Sequence, residues 1–214
     1  MKLFHAEKLQ SSDYAEIVSL LKAGGVIAFP TDTAYGLGAD PFNNASVERV
    51  FSIKGRPENK PLLLLVESIA MAETVSQPPA FFYDVARHFW PGPLTMIVPA
   101  KPILLMKVTA GTNTIGLRWP IARVATSLVE SFGKPITATS ANSTGMPTPI
   151  AAAEVRVQIG EAADALIDGG RLPFRAGSTL LDLTVDPAVV LREGPITREE
   201  LADFFGGRIR RSGE

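Results

Sequence analysis

The sequence contains no cysteine and only two histidines, His5 and His88, among its 214 residues. Without cysteine the chain can form no disulfide, no thiolate nucleophile and no cysteine-ligated metal site. Two histidines are too few for a histidine-rich metal centre, and they argue against a catalytic triad that depends on histidine. The composition therefore argues against thiol, zinc and triad chemistry.

The chain also lacks long apolar segments and a strong net charge. Apolar runs such as residues 62–66 and 102–106 are far shorter than the roughly 20 residues that span a bilayer. The first ten residues contain no apolar core of the kind found in signal peptides. A net charge of −1 provides no general basic field for nucleic acid, so any RNA contact requires a local patch. We expect a cytoplasmic protein without membrane contact.

Several common catalytic motifs are missing as well. There is no G-x-x-x-x-G-K-[ST] loop, and Gly36 and Gly38 do not begin a G-x-G-x-x-G motif. Ser140 does not lie in a G-x-S-x-G turn. No pair of carboxylates is spaced for acid–base catalysis, and Asp32 is as well suited to capping a turn as to catalysis. No set of side chains is predicted to hold a metal ion.

The sequence does contain alternating helix and strand patterns, with 46% hydrophobic and 20% charged residues. Apolar periodicity and Gly/Pro breaks predict helices over residues 14–23, 44–53, 68–75, 81–90, 121–132, 151–159 and 197–205. They predict strands over residues 26–29, 62–66, 94–98, 114–119, 136–139, 165–167, 178–183 and 189–192. This alternation favours an α/β fold with a mixed parallel and antiparallel sheet and flanking helices. We expect one domain over residues 1–206 and a loose basic tail over residues 207–214.

A cationic loop at residues 54–61 contains Lys54, Arg56 and Lys60 between glycine and proline residues. The side chains of Lys54 and Arg56 can point the same way along an extended backbone, and the two prolines stiffen the loop. Fixed cations beside a strand can bind an anion such as a nucleotide phosphate. A solvated surface turn would have the same composition, so the loop alone leaves both interpretations open.

Polar side chains follow the ends of several predicted strands, where ligands bind in open α/β sheets. The segments after the strands carry Thr31, Asp32 and Thr33, then Ser140 and Asn142, while two arginines lie near the ends of later strands, Arg118 and Arg192. Hydroxyl, amide and guanidinium groups favour electrostatic positioning of an anionic substrate over covalent catalysis. Threonine, serine and asparagine also end strands and form turns without any catalytic role.

Taken together, these segments identify a family. The chain resembles the YrdC-like family of threonylcarbamoyl-AMP synthases, and the segments that match cover nearly the whole chain in the order of the family. The combination of a K-x-R motif with an S-x-N motif is specific. The matching segments are GGVIAFPTDTAYGLGAD (24–40), KGRPENKP (54–61), FWPGPLTMIV (89–98), GLRWP (116–120), PITATSANSTGMPTP (135–149), STLLDLT (178–184) and LREGPIT (191–197).

The resemblance implies a twisted mixed sheet around a large, positively lined cavity. It implies an L-threonylcarbamoyladenylate synthase, which is a nucleotidyltransferase that converts L-threonine, bicarbonate or CO2, and ATP to threonylcarbamoyl-AMP and pyrophosphate, with Mg²⁺ accompanying ATP. The product serves t6A formation at position 37 of tRNA, through transferase proteins that act downstream. Transfer RNA or double-stranded RNA is a further partner that the family suggests.

Site residues carry over by motif. The catalytic set is Lys54, Arg56, Ser140 and Asn142. The ATP-binding set is Arg56, Lys60, Thr114, Ser140, Asn142, Thr148 and Arg192. The threonine-binding set is Thr33, Arg118, Ala138 and Ser178, with Arg118 on the carboxylate.

The sequence departs from the family at several places. Leu65 stands where many relatives have histidine, and Asp32 stands where many have glutamate. The chain resembles the short form of the family, and its basic tail would then lie where longer members have a linker. Two alternatives remain open: an RNA- or nucleotide-binding member without this activity, and a different carbamoyl transfer such as that of hydrogenase-maturing carbamoyltransferases. The presence of both motifs favours the synthase.

Overall fold

The computed structural model describes residues 1–173 and 177–213. It confirms the mixed α/β class, with helices packed against β-sheets. The strands divide into two mixed sheets, although the sequence suggested a single one. Glu214, the last residue of the predicted tail, lies outside the described residues.

The first sheet combines parallel and antiparallel pairs in the order β1-β9-β2-β3-β8. β9 pairs in parallel with β1 and β2, whereas β3 pairs antiparallel with β2 and β8. Its strands are β1 (Lys2–His5), β2 (Ile27–Pro30), β3 (Tyr35–Gly38), β8 (Thr139–Ser140) and β9 (Ala165–Asp168).

The second sheet has the order β12-β11-β10-β5-β6-β4-β7. Parallel pairs join β5 to β10, β4 to β6 and β11 to β12, and the remaining neighbours are antiparallel. Its strands are β4 (Leu63–Leu65), β5 (Leu94–Pro99), β6 (Thr114–Arg118), β7 (Ile136–Thr137), β10 (Thr179–Asp182), β11 (Ala188–Arg192) and β12 (Ile209–Arg211).

Side-chain caps and glycines set the ends of several helices. Asn43 and Ser68 each accept a hydrogen bond from the backbone of the following turn, and Thr197 exchanges hydrogen bonds with Glu200. Gly55 ends the second helix in a left-handed conformation at φ 55°. The helices are α1 (Ser11–Lys22), α2 (Asn44–Lys54), α3 (Ile69–Val75), α4 (Phe82–Phe89), α5 (Met106–Thr109), α6 (Arg123–Phe132), α7 (Ala152–Ile159) and α8 (Arg198–Phe204).

Two apolar clusters hold the layers together. In the smaller one, α1 packs on α6 and both cover β2, with Ile17, Phe29 and Leu128 fully buried. The larger one includes Phe82, Trp90 and other buried residues of α2, α4 and the second sheet. Burial of such side chains contributes about 1.5–3 kcal/mol each. The two clusters therefore hold in place the strands whose ends carry the polar residues.

Four of these strands and α-helices were not predicted, namely β1, β3, α5 and β12. Gly36 and Gly38 weaken the strand pattern of this segment, so the sequence predicts no strand at β3. Gly38 is needed for packing, since a Cβ there would lie 2.7 Å from Phe29 Cε1 and 2.9 Å from Ile136 Cγ2. The glycines thus allow a strand to pass close to its neighbours.

The basic segment expected to be loose contains an ordered strand. β12 pairs in parallel with β11, and Ile209 is buried against the larger apolar cluster. The single apolar residue among arginines gave too weak a strand pattern to be predicted. Within the described residues, no helix combines the length and the apolar character that crossing a membrane requires.

Candidate active site

Two adjoining cavities lie where the sheets come together. The first chamber has a volume of about 220 Å³, and the second chamber has a volume of about 170 Å³. Both are lined by Arg56, Leu63, Thr139 and Arg192, so these residues form the wall that the chambers share. Together the chambers form one concave site with two arginines at its centre.

The first chamber has polar and apolar lining residues, which come from segments far apart in the sequence. They come from the loop before β3, from β3 itself, from the second sheet and from the segment before β10. Its other lining residues are Thr31, Thr33, Ala34, Tyr35, Gly36, Leu65, Arg118, Ala138, Ser140, Thr148, Gly177 and Ser178.

The second chamber is mainly apolar. Gly116 lies on its floor, where a Cβ would meet Thr95 Cγ2 at 3.2 Å and Leu63 Cβ at 3.4 Å. The absence of a side chain at this position helps to keep the chamber open. Its other lining residues are Pro61, Leu62, Ile97, Thr114 and Leu180.

The register of the second sheet places side chains on the cavity floor. In the parallel pair of β4 and β6, Leu63 lies beside Gly116 and Leu65 beside Arg118. Alternate residues of a strand share one face, so these four positions face the chambers. Leu65 therefore offers an apolar surface beside Arg118, at the position where the sequence departs from the family's histidine.

Arg118 is the most buried cation of the first chamber, at 4% exposure. Its Nε donates to Gly92 O at 3.1 Å, Nη1 to Thr33 Oγ1 at 2.7 Å and Nη2 to Asp32 Oδ2 at 2.6 Å. These bonds use three of the five N–H groups of a guanidinium, which leaves two for a ligand. Burial lowers the pKa of Arg118, Asp32 opposes that effect, and the charge of Arg192 adds to it. The result is a fixed cation at one end of the chamber.

The short loop before β3 fixes Thr33 as the partner of Arg118. Thr31 Oγ1 donates to Ala34 O at 2.7 Å and lies 3.2 Å from Thr33 Oγ1. Because Thr33 accepts from Arg118, its own proton can go to Thr31 or to a ligand. Thr33 thus provides a hydroxyl donor next to the guanidinium.

Arg56 is held by the backbone of the cationic loop. Its Nε donates to Lys60 O at 3.1 Å and its Nη2 to Pro61 O at 2.7 Å, while Nη1 lies 3.4 Å from Thr139 Oγ1. Burial lowers its pKa from the ordinary arginine value, but an arginine remains charged in proteins. The loop therefore presents a positioned guanidinium to both chambers.

Arg192 occupies the opposite part of the shared wall. Its Nε and Nη2 donate to Ser178 O at 3.2 and 2.8 Å. The guanidinium lies against Gly177, where a Cβ would be 2.8 Å from Nη2. Thr179 Oγ1 also bonds the backbone of Gly194 and Ile196, which fixes the segment that follows Arg192.

Lys54 and Asn142 do not line either chamber, contrary to their prediction as groups that act directly on the substrates. Lys54 is 3% exposed, and its ammonium donates to Ser140 O, to Asn142 O at 2.7 Å and to Asn142 Oδ1 at 3.1 Å. Asn142 Oδ1 also accepts from Ser140 Oγ at 2.5 Å. Because α2 continues through Lys54, its ammonium lies against the segment of Ser140 and Asn142 and supports the loop that carries Ser140.

Lys60 also lies away from the chambers. Its side chain is exposed, and only its carbonyl takes part, as an acceptor for Arg56. The remaining predicted residues all line one chamber or both. The chambers bring together Thr33, Arg56, Thr114, Arg118, Ala138, Ser140, Thr148, Ser178 and Arg192.

Sequence reasoning missed Leu63, Gly177 and the buried Thr95, which contacts Ser178. These residues act through packing or through a neighbouring side chain, and their types are common in strands and turns. The glycine before Ser178 was the available indication, and it required knowledge of where Arg192 lies.

The buried position of Lys54 leads to a prediction about stability. Burial, with a contribution from the charge of Arg56, lowers its pKa from 10.5 to about 7. Between these values the unfolded chain carries a proton that the folded chain lacks, so stability rises with pH in this window. We expect the free energy of unfolding of the wild type to increase from pH 7 to pH 9.5 relative to Lys54→Met. Urea unfolding at a series of pH values measures this difference.

Lys101→Met is a matched control for this comparison, because Lys101 donates to Glu73 O outside the chambers. It should retain the pH dependence of the wild type. Parallel curves for the wild type and Lys54→Met would show that Lys54 does not lose its proton in this range.

No protein metal centre is evident among the residues described. They contain no cluster of three or more histidine, cysteine, aspartate or glutamate side chains that could hold a metal ion. Asp32 is the only acid of the loop before β3, and its Oδ2 is engaged by Arg118. Its Oδ1 is buried without a partner in the described part of the chain.

Comparison with known proteins identifies the family to which these features belong. The model of the family Sua5_yciO_yrdC, described as "Telomere recombination", matches residues 19–194. Threonylcarbamoyl-AMP synthase of Pyrococcus abyssi is 34% identical over 201 residues, and that of Bacillus subtilis is 37% identical over 204 residues. Each alignment covers 94% of this chain and 59% of the relative, so the chain spans well under the full length of both.

A solved structure shows the same arrangement of sheets. The crystal structure of P. abyssi Sua5 complexed with L-threonine superposes on this chain with a TM-score of 0.95 at 32% identity. The match covers 100% of this chain and 64% of that protein.

Proposed function

The chain belongs to the Sua5–YciO–YrdC family, and on that premise we propose that it is an L-threonylcarbamoyladenylate synthase. The reaction joins L-threonine, bicarbonate or CO2, and ATP, and releases pyrophosphate. The observation that carries the proposal is the convergence of Arg56, Arg118 and Arg192 on one cavity. Three fixed cations in a concave site suit a substrate with several negative charges.

Threonine binding is assigned to the end of the first chamber that contains Arg118. The two N–H groups that Arg118 does not use in the protein can hold a carboxylate, with Thr33 beside them. Ser178 lines the same chamber. Leu65 and Ala138 supply the apolar wall against which the methyl group of threonine can pack.

The nucleotide is assigned to the wall between the chambers and to the second chamber. Arg56 and Arg192 would contact phosphates, and Ser140 and Thr148 line the polar side of this wall. The base and ribose would enter the second chamber near Thr114, where the lining is mainly apolar. An apolar chamber beside a few directed polar groups is typical of nucleotide and cofactor sites.

The chemistry requires no nucleophile from the protein. The deprotonated nitrogen of threonine first bonds to the carbon of CO2, a C=O π bond opens to a carboxylate, and a proton is released to solvent, which gives a carbamate. A carbamate oxygen then attacks the α-phosphorus of ATP, a new P–O bond forms, and the bond to the leaving pyrophosphate breaks. Negative charge grows on the pyrophosphate, and Arg56 and Arg192 are positioned to stabilise it.

Mg²⁺ bound to the phosphates would neutralise part of their charge. Because the described residues offer no cluster of metal ligands, we infer that the ion arrives with ATP and is held by phosphate oxygens and water.

The side chains of Lys54 and Asn142 support the loop that presents the Ser140 side chain to the chamber. The three residues therefore act as a unit.

We infer further that the product passes to transferase proteins that form t6A in tRNA, and that the chain works in the cytoplasm. The family supports this assignment. RNA contact would depend on local cations such as those of β12, because the net charge is −1.

The test incubates the protein with ATP, Mg²⁺, labelled bicarbonate and L-threonine. We expect pyrophosphate and a labelled adenylate to form in equal amounts, and both to vanish when threonine is left out. Pyrophosphate release that does not depend on threonine would instead indicate a different carbamoyl transfer. Binding of RNA without any adenylate would support the non-catalytic alternative.

A further inference from the structure

Two buried hydroxyl groups meet beneath the first chamber. Thr95 Oγ1 in β5 lies 2.6 Å from Ser178 Oγ, which follows the Gly177 that lines the chamber. Thr95 is fully buried at 0% exposure, and Ser178 is 2% exposed. Thr95 is not itself a lining residue, so any effect on a ligand must pass through Ser178.

The direction of this hydrogen bond follows from the available partners. Among the described residues, Ser178 is the only hydrogen-bond partner of the Thr95 hydroxyl. If Ser178 donated, the proton of Thr95 would be buried without an acceptor, and such a group carries the full penalty of desolvation. Thr95 must therefore donate and Ser178 accept.

This assignment leaves the Ser178 proton free. Ser178 Oγ has no other partner in the described part of the chain, and its side chain lines the first chamber. The proton can then be satisfied only by an acceptor that enters the chamber. An ammonium group cannot serve, because it offers only N–H donors.

We propose that Thr95 is a positioning residue that sets Ser178 as a hydrogen-bond donor toward an oxygen of the amino-acid substrate. The inference rests on the proposed function and deepens it, because it states which kind of substrate atom Ser178 contacts. A substrate oxygen lies on the Ser178 side of the chamber, and an ammonium group does not bond to Ser178 there. Thr95 thereby contributes to orientation of threonine without touching it.

Two variants isolate the hydroxyl. Thr95→Ser and Thr95→Ala both lose the γ-methyl group, and they differ only in the hydroxyl. We expect the KM for threonine of Thr95→Ala to be about tenfold above that of Thr95→Ser, at saturating ATP and bicarbonate. The KM for ATP should be the same in both variants within about twofold, because Arg192 bonds the backbone of Ser178 and not its hydroxyl.

A double-mutant cycle separates positioning from a merely structural role. In a Ser178→Ala background, Thr95→Ser and Thr95→Ala should have equal KM values for threonine, because no Ser178 hydroxyl remains to be oriented. A tenfold difference that persists in this background would overturn the proposal. Equal KM values of the two variants in the presence of Ser178 would overturn it as well.

Calorimetric titration with L-threonine tests the role of Thr95 separately from the proposed function. If the wild type forms no adenylate, the proposed function fails. The role of the Thr95 hydroxyl is then tested by binding alone. The dissociation constant of Thr95→Ala for threonine should be about tenfold above that of Thr95→Ser, and equal constants would overturn the proposal. Absence of threonine binding by a folded wild type would overturn both.

Discussion

Replacing Arg56 by alanine is expected to lower kcat/KM for threonine-dependent pyrophosphate release about a hundredfold or more. Loss of one preorganised electrostatic contact typically costs ~2–4 kcal/mol of transition-state stabilisation, and Arg56 lines both chambers. Its bonds to Lys60 O and Pro61 O lie at the surface, so the free energy of unfolding should change little. Steady-state pyrophosphate release and urea unfolding measure the two quantities.

The control for this variant is Arg87→Ala. Arg87 pairs with Asp84 on α4, has an exposed side chain and lies outside both chambers. It should have the activity of the wild type.

Arg56→Lys tests geometry, because a lysine keeps the charge but cannot reproduce the planar, forked contacts of a guanidinium. A near-normal rate for Arg56→Ala would remove this residue from the proposed mechanism.

Replacing Arg118 by alanine should have the second large effect, on both threonine use and stability. The variant loses the proposed carboxylate contact and leaves the largely buried carboxylate of Asp32 without its partner. Breaking a buried ion pair from one side typically costs ~3–5 kcal/mol of stability. We expect kcat/KM for threonine to fall about a thousandfold, with a much smaller change in the KM for ATP.

A second substitution separates the two effects. Adding Asp32→Ala to the Arg118→Ala variant removes the carboxylate that has lost its partner. The free energy of unfolding should then recover in part, while kcat/KM for threonine stays low. Recovery of activity together with stability would mean that Arg118 supports the fold and does not bind threonine. Urea unfolding and threonine saturation kinetics on the same preparations distinguish these outcomes.

Most of the fold could be predicted because its helices and central strands have strong apolar periodicity. The paired strands β5 and β6 are apolar runs bounded by proline or polar turns, and α6 is closed by Gly133. The strand β3 could not be predicted, because Gly38 leaves space for Phe29 on the neighbouring strand and for Ile136, which lies far away in the sequence. Division of the strands into two sheets likewise depends on long-range pairing that no local pattern encodes.

The site was predictable to the extent that its residues follow motifs. Arg56, Arg118 and Arg192 were predicted from strand ends and family segments, and they line one cavity. The prediction that Lys54 lies on an extended backbone beside Arg56 is wrong, because α2 continues through Lys54. The helix places the Lys54 ammonium on the carbonyls of Ser140 and Asn142, and that contact depends on residues 86 and 88 positions away.

The shared arginine wall has a consequence for how the substrates affect each other. The charges of Arg192 and Arg118 act on each other across the chamber, so each end of the cavity lies in the positive potential of both guanidinium groups. An anion bound at one end cancels part of that potential and thereby lowers the affinity of the other end for an anion. Because such linkage is reciprocal, the carboxylate of the amino acid and the phosphates of the nucleotide should each weaken binding of the other through charge, and added salt should reduce this effect.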